Sequence, residues 1–420
     1  MPKIILVLLC LGFSVHADDL GTMITKTLKT HPDILVEQSR LNIAKTQLDL
    51  AGEQFFPTFS VSFENVAATR DIDTNYSNSQ SVATFRIQQP LYTFGRLTHA
   101  KDKFAAGFES QNLTINEVQI QLAQAVLQAW GEWFVATLRS DALQTSIETH
   151  EALKQSVTRR SDKGASSPSE VKLSVARLAQ VEAQAANAEL QIRAAKVKLA
   201  QLVGEVIPDS ISPRQFLSFL PENEALMVQK ALALNPTLQR FAADIKQSEF
   251  ESLEEISALA PEIYLRAEHQ RGDFSTTIPF QNRVFVGFQS DFGAGTSALM
   301  QVKLTQQRTQ TLKAEVNVVK RNITERVKLE ATQLEILDIR QAALELSLSA
   351  NKEIAEAFNR QYLAGRRSWV EVMNTARELS QAELELADLK AAKVLSYWRL
   401  SFLVNGLEGT LALNQIVDMK

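Results

Sequence analysis

Few residues in this chain have the type and spacing that catalysis needs. The histidines His16, His31, His99, His150 and His269 are widely scattered, and the single cysteine is Cys10. No metal-ligand spacing, phosphate-binding glycine loop or nucleophile motif appears. Asp71, Asp73 and Asn75 alternate as in a calcium loop, but the required glycine and distal glutamate are missing. The chain therefore reads as a protein that is not an enzyme and needs no cofactor. A net charge of -4 with no basic cluster argues against nucleic acid as a partner. The most specific local chemistry lies at a turn. Ser167, Pro168 and Glu170 have the spacing of a capping box with proline at the first helical position, and Gly164 before them suits a left-handed helix C-cap.

The elements around that turn are mostly helical. Gly and Pro are sparse, 15 and 11 in 420 residues, which leaves long stretches without a breaker. The N-terminus reads as a secretory signal over 1–17: Lys3, the apolar run Ile4–Phe13, and a cut after Ala17. Cys10 lies within it, and the apolar run is too short to span a bilayer. A short helix at Leu20–Thr30 breaks at His31-Pro32, and Asp33 is placed to cap the helix that follows. Between Arg96 and Asp162 there is no proline, which predicts one helix of about 65 residues, roughly 100 Å at 1.5 Å per residue. Trp130, Trp133 and Phe134 along it, and Trp398 with Phe402, read as packing residues. So long a helix implies a coiled-coil-like or barrel-like assembly.

Four short strands interrupt the helices. In the first, Phe59, Val61 and Phe63 fall on one face and Thr58, Ser60, Ser62 and Glu64 on the other. In the fourth, Val284, Val286 and Phe288 repeat the apolar alternation. Four strands in two hairpins do not close a sheet alone, and their two-faced pattern suits a membrane barrel shared by several copies of the chain. Phe55, Phe56, Tyr92 and Phe94 at the strand ends fit an aromatic girdle.

The layout then repeats. His31-Pro32 and Pro57 match Asn235-Pro236 and Pro261 at an offset of 204, Gly95 matches Gly295 at 200, and Gly164, Glu170 and Leu202 match Gly365, Glu371 and Leu403 at 201. Shifts that fall in loops and turns mark a structural duplication. The expected organisation is a first repeat over 18–204 (hairpin about 57–90, long helix about 96–162, return helix about 168–204), a linker over 205–221, and a second repeat over 222–409. That repeat holds a hairpin about 261–290, a long helix about 296–363 and a return helix about 368–404, and 410–420 form a tail.

With that layout, with Gln89-Pro90-Leu91-Tyr92 closing a hairpin, and with Arg360-Gln361-Tyr362-Leu363-Ala364-Gly365 preceding Val370-Glu371-Val372-Met373-Asn374-Thr375, the chain resembles the TolC family of outer-membrane efflux and secretion ducts. The resemblance covers roughly Leu20 to Gly409. It implies a mainly α protein with a small β part: a duplicated long-helix α-barrel, plus four transmembrane strands per protomer that complete a 12-stranded barrel as a homotrimer. It implies an outer-membrane location reaching into the periplasm, a periplasmic membrane-fusion adaptor, and an inner-membrane transporter, of the ABC type before a proton-driven one. The stretch Arg366–Leu379 looks most like members serving type I secretion, including exporters of large adhesins. Drug efflux is the alternative, and a periplasmic coiled-coil scaffold is the alternative of another class.

The resemblance also assigns candidate residues. Glu371 and Asn374, with Glu170 by the internal repeat, would line the pore constriction, and three copies would set six glutamates near one opening. The simpler reading makes Glu170 a capping residue and Glu371 a solvated one. Arg159, Arg160, Arg360, Tyr362, Arg366 and Arg367 would hold the tip shut, although each cation also complements the dipole of a helix end. The turns at Gly164, Ser167, Gly365 and Ser368 would dock the adaptor. Phe59, Val61, Phe63, Val284, Val286 and Phe288 would face lipid.

Overall fold

The computed structural model describes residues 20–65, 81–208, 220–221, 223–272, 282–291 and 293–418. The leader read over 1–17, the loop holding Asp71, Asp73 and Asn75, and 209–219 of the linker lie outside the described residues. The elements run α1 (Leu20–Thr30), α2 (Pro32–Glu53), β1 (Thr58–Asn65), β2 (Ser81–Tyr92), α3 (Arg96–Asp162), α4 (Pro168–Val203), α5 (Glu224–Leu234), α6 (Pro236–Ala258), β3 (Glu262–Arg271), β4 (Asn282–Gln289), α7 (Ser297–Leu363) and α8 (Trp369–Asp418). The chain is mainly helical with a small strand part, and no described helix is long and apolar enough to cross a membrane. The helical residues of α8 pass a break at Gly406, whose φ is 69°.

Two compact units form, each drawing on both halves of the sequence. One comprises Leu35–Glu117 and Asn235–Asn322, the other Met1–Ile34, Val118–Leu234 and Ile323–Lys420.

In the first of these units the four strands make one antiparallel sheet in the order β1-β2-β3-β4. Register decides which side chains share a face. Phe59 stands opposite Ile87, and Val61 opposite Phe85. Ile87 stands opposite Ala267, and Phe85 opposite His269. Ala267 in turn faces Val284, Leu265 faces Val286 and Ile263 faces Phe288. Both sets of alternating apolar residues therefore lie on one continuous face. It is open to the surroundings, with Phe59 at 75% and Phe288 at 80% relative exposure. The other face is polar: Arg86 pairs with Glu268 at 2.7 Å, and Arg266 reaches the same carboxylate at 3.3 Å. On that face Tyr264 lies across Gly287, where an added Cβ would stand 2.6 Å from the ring. The missing side chain makes room for the tyrosine. β1 and β4 are the edges.

Prolines set the helix starts. Asn235 precedes Pro236, and its Oδ1 accepts from the Leu238 amide at 3.1 Å. At the matching position His31 precedes Pro32, and its Nδ1 accepts from the Asp33 amide at 3.3 Å. Asp33 thus sits inside the first turn of α2 and does not cap it. Proline has no N–H to offer and takes the first helical position, which moves the cap one residue back.

The second unit holds the main core. Trp130 and Phe134 stack with ring centroids 4.9 Å apart. Trp133, Trp398 and Phe402 are buried beside them with Leu20, Met23 and Ile24 of α1 and Leu199 and Val203 of α4. Gly131 lets α3 and α8 approach, since a Cβ there would come within 2.6 Å of Leu395. Trp133→Ala is expected to cost about 3–5 kcal/mol, the usual penalty for emptying a buried tryptophan site. Denaturant titration of the detergent-extracted protein checks it, and a midpoint unchanged from the parent would show that this cluster does not hold the unit together.

The paired helical turns as a candidate site

Two turns of the second unit, α3–α4 and α7–α8, are built to one plan. Each long helix ends on a glycine in the left-handed region, Gly164 at φ 74° and Gly365 at φ 72°. The next amide reaches back five residues, Ala165 to the Arg160 carbonyl at 2.8 Å and Arg366 to the Gln361 carbonyl at 2.9 Å. These are Schellman closures, which satisfy end carbonyls that would otherwise lack partners.

A capping box then opens each return helix. Ser167 Oγ accepts from the Glu170 amide and Glu170 Oε2 accepts from the Ser167 amide, both at 3.3 Å. At the second turn Glu371 Oε2 accepts from the Ser368 amide and from Ser368 Oγ, both at 2.9 Å, and Ser368 Oγ accepts from the Glu371 amide at 3.4 Å. The second box was legible in the sequence as Ser368-Trp369-Val370-Glu371, although only the first stood out there.

Tyr362 joins the two turns. Its hydroxyl lies 2.7 Å from Ser166 Oγ and donates to Glu170 Oε2 at 3.3 Å. Its ring packs against Trp369 at 4.7 Å and carries the Arg160 guanidinium at 5.0 Å. Arg160 Nη1 donates to the Leu363 carbonyl at 3.2 Å, so a cation at the end of α3 caps the end of α7. Arg160 Nε is buried with no hydrogen-bond partner. Below these polar links Trp369 Nε1 donates to Ser174 Oγ at 2.9 Å, and Ser174 Oγ donates to the Glu170 carbonyl at 2.9 Å. Leu153, Val157, Val372, Met373 and Ala376 bury the base of the cluster.

The remaining candidates divide. Arg367 stays within its own turn: it donates to Glu371 Oε1 at 2.5 Å and to Gln361 at 3.1 Å, and lies 4.2 Å from the Phe358 ring centre. The bonds from Ser368, backbone first and side chain second, with Arg367 third, hold the Glu371 carboxyl down at about 2. Arg360 pairs loosely with Glu356 at 3.7 Å, one helical turn back. Arg159 and Arg366 are exposed, Asn374 is half-buried, and Gly164, Ser167, Gly365 and Ser368 are exposed at the turn tips. Ser166, Ser174 and Trp369 were not singled out by sequence reasoning. Ser166 and Ser174 carry no motif, and their roles come from residues nearly two hundred positions away.

The profile of the outer membrane efflux protein family matches residues 23–205 and 227–406 of this chain. Among solved structures the chain is similar to the outer-membrane channel OprN, with 17% identity, a TM-score of 0.79, and 93% of this chain and 90% of that one covered. It is also similar to the outer membrane protein VceC of Vibrio cholerae, at 16% identity and TM-score 0.79 over 93% and 96% of the two chains. The Campylobacter jejuni CmeC outer membrane channel matches at 13% identity and TM-score 0.78 over 95% and 88%. No curated protein sequence matches the chain significantly.

The depressed Glu371 carboxyl has a testable consequence. The cap it forms is fully present above the ordinary carboxylate range and is lost only as pH falls through about 2. Arg367→Ala is expected to move the Glu371 titration upward while leaving it below the ordinary value, because the Ser368 bonds remain. A carbon-detected NMR titration of labelled glutamate checks this; an unshifted midpoint would mean that Arg367 does not hold the carboxylate in solution.

Proposed function

The chain belongs to the outer membrane efflux protein family, and on that premise we propose that it is the exit duct of a tripartite type I secretion system. In this reading it passes a protein, a large adhesin among the candidates, from an inner-membrane ABC transporter through a periplasmic adaptor to the cell exterior. The protein is an outer-membrane one that extends into the periplasm. Three copies close the β part into a 12-stranded barrel, with Phe59, Val61, Phe63, Val284, Val286 and Phe288 toward lipid. The open, continuous apolar face of the sheet supports this, because a soluble scaffold would have no use for it.

One observation carries the mechanism: Tyr362 and Arg160 tie the α7–α8 turn to the α3–α4 turn by polar bonds at the rim of a small apolar cluster. Such bonds hold a tip closed, yet each is worth only about 0.5–1.5 kcal/mol net, so docking of an adaptor on the exposed turns can release them. Glu371, Asn374 and Glu170 are the proposed constriction residues. Asn374 is uncharged, and Glu371 is already paired with Arg367, so the opening is less acidic than six free carboxylates would make it. The duct has no energy-coupling motif of its own in this reading; the transporter supplies the work. The second reading, drug or small-molecule efflux, is favoured by the family's own description.

Tyr362→Phe removes both hydroxyl contacts and keeps the ring on Trp369. It is expected to raise the open population roughly tenfold, the effect of about 1.4 kcal/mol, read as conductance in planar bilayers. Unchanged conductance would remove Tyr362 from the gate. Deleting the gene separates the two cargo readings. Loss of one large surface or secreted protein with unchanged drug tolerance supports secretion; broad drug hypersensitivity with intact secretion supports efflux.

A further inference from the structure

The polar face of the sheet carries a concentrated positive charge. Ser60, Arg86, Glu268 and Arg283 stand in one row across the four strands. Arg266 lies on the same face, two residues along β3 from Glu268 and opposite Phe285. Three guanidiniums thus gather round one carboxylate. Glu268 Oε1 accepts from Arg86 Nε at 2.7 Å. Arg266 Nε comes within 3.3 Å of the same oxygen but has no hydrogen-bond partner. Arg283 donates to the neutral Gln270, at 3.5 Å. Arginine keeps its charge at every pH a cell meets, so three arginines less Glu268 leave a surplus of two positive charges per chain.

Among the described residues, the other acidic groups of this face do not cancel that surplus. Glu262 is engaged by Arg96 at 2.6 Å. Glu64 stands opposite Val82, four residues along β1 from Ser60. That is about 13 Å at the rise of a strand, beyond the screening length of about 8 Å in physiological salt. Counting Glu64 in full would still leave one positive charge per chain, three arginines less two glutamates. Packing holds the charge in place. The Arg266 guanidinium lies 5.0 Å from the Phe285 ring centre and 5.4 Å from that of Tyr264, and Tyr264 is itself seated over Gly287. Such contacts position a cation without neutralising it. Arg86 and Arg283 remain exposed.

We infer that this face is an anion-selective collar. In the assembled duct Arg86, Arg266 and Arg283 of every copy ring the strand-lined part of the passage and favour carboxylate-rich cargo over cationic cargo. This rests on the reading that several copies close the strands round a water-filled passage with the apolar face outward. Rings of arginine in a pore select anions, low-dielectric walls focus their field along the passage, and the guanidinium fork matches a carboxylate. The collar is opposite in sign to Glu170 and Glu371 at the turns.

The full-length, detergent-extracted protein tests this in planar bilayers under a potassium chloride gradient, where the reversal potential gives the chloride-to-potassium permeability ratio. The parent is expected to prefer chloride. Arg283→Gln, which leaves the Arg86–Glu268 pair intact, is expected to lower the ratio several-fold, and Arg283→Glu to lower it further. Arg271→Gln, on the apolar face opposite Ala83, is expected to leave it unchanged. A cation-selective parent overturns the collar, as does a ratio that Arg283→Glu leaves in place or that Arg271→Gln moves equally; in each case the duct reading stands. A parent and a Tyr362→Phe variant that both fail to conduct overturn the duct reading and the collar with it. A second measurement needs no variant. Poly-glutamate, added to the parent opposite the side from which the protein inserts, is expected to block the current at a lower concentration than poly-lysine; the reverse order overturns the collar.

Discussion

Backbone hydrogen bonding at the edges of the sheet constrains this protein more than any other interaction. Among the described residues β1 and β4 each pair on one side only, and each therefore offers a row of N–H and C=O groups to whatever lies beyond. In a bilayer such a row is too costly to leave open, because hydrocarbon supplies no hydrogen-bond partner. The continuous apolar face adjoining those edges makes lipid the natural surroundings of the strands. Under the proposed multi-copy reading, pairing β4 of one copy with β1 of the next would satisfy both conditions at once.

The helical turns show the same economy on a smaller scale. A duplicated sequence yields two devices of one plan, a left-handed glycine closing one helix and a serine–glutamate box opening the next. They have then diverged. At the first turn Glu170 Oε2 accepts from both the Ser167 amide and the Tyr362 hydroxyl, so the box also serves as an anchor between turns. At the second, Glu371 is fully engaged by Ser368 and Arg367, and its carboxylate stabilises its own turn. Equivalent positions in the two repeats thus carry different physical work, and a role assigned to one glutamate by internal symmetry does not transfer to the other.

Exposure along the long helices is uneven in an informative way. No large hydrophobic residue of α3 is exposed, while α4 and α7 keep several in the open. Apolar area of this kind is worth roughly 25 cal/mol per Å² once covered.

Much of this was legible in the sequence. The absence of proline between Arg96 and Asp162 determined a long α3, strict alternation at Phe59, Val61 and Phe63 determined a two-faced strand, and Ser167, Pro168 and Glu170 determined the start of α4. All are local effects, set by backbone dihedrals and side-chain period within a few residues. Asp33 shows the limit even there, since a neighbouring proline displaced the cap. What only the tertiary structure decided was every relation between distant segments. The register of β2 on β3 put the apolar residues of both hairpins on one face. The approach of α7 to α3 and α4 set Tyr362 on Glu170 and Ser166 and gave Trp369 its partner in Ser174. Hydrogen bonds are directional and short, and whether two groups far apart in the chain come within 3 Å depends on the packing of whole helices, which no local pattern records.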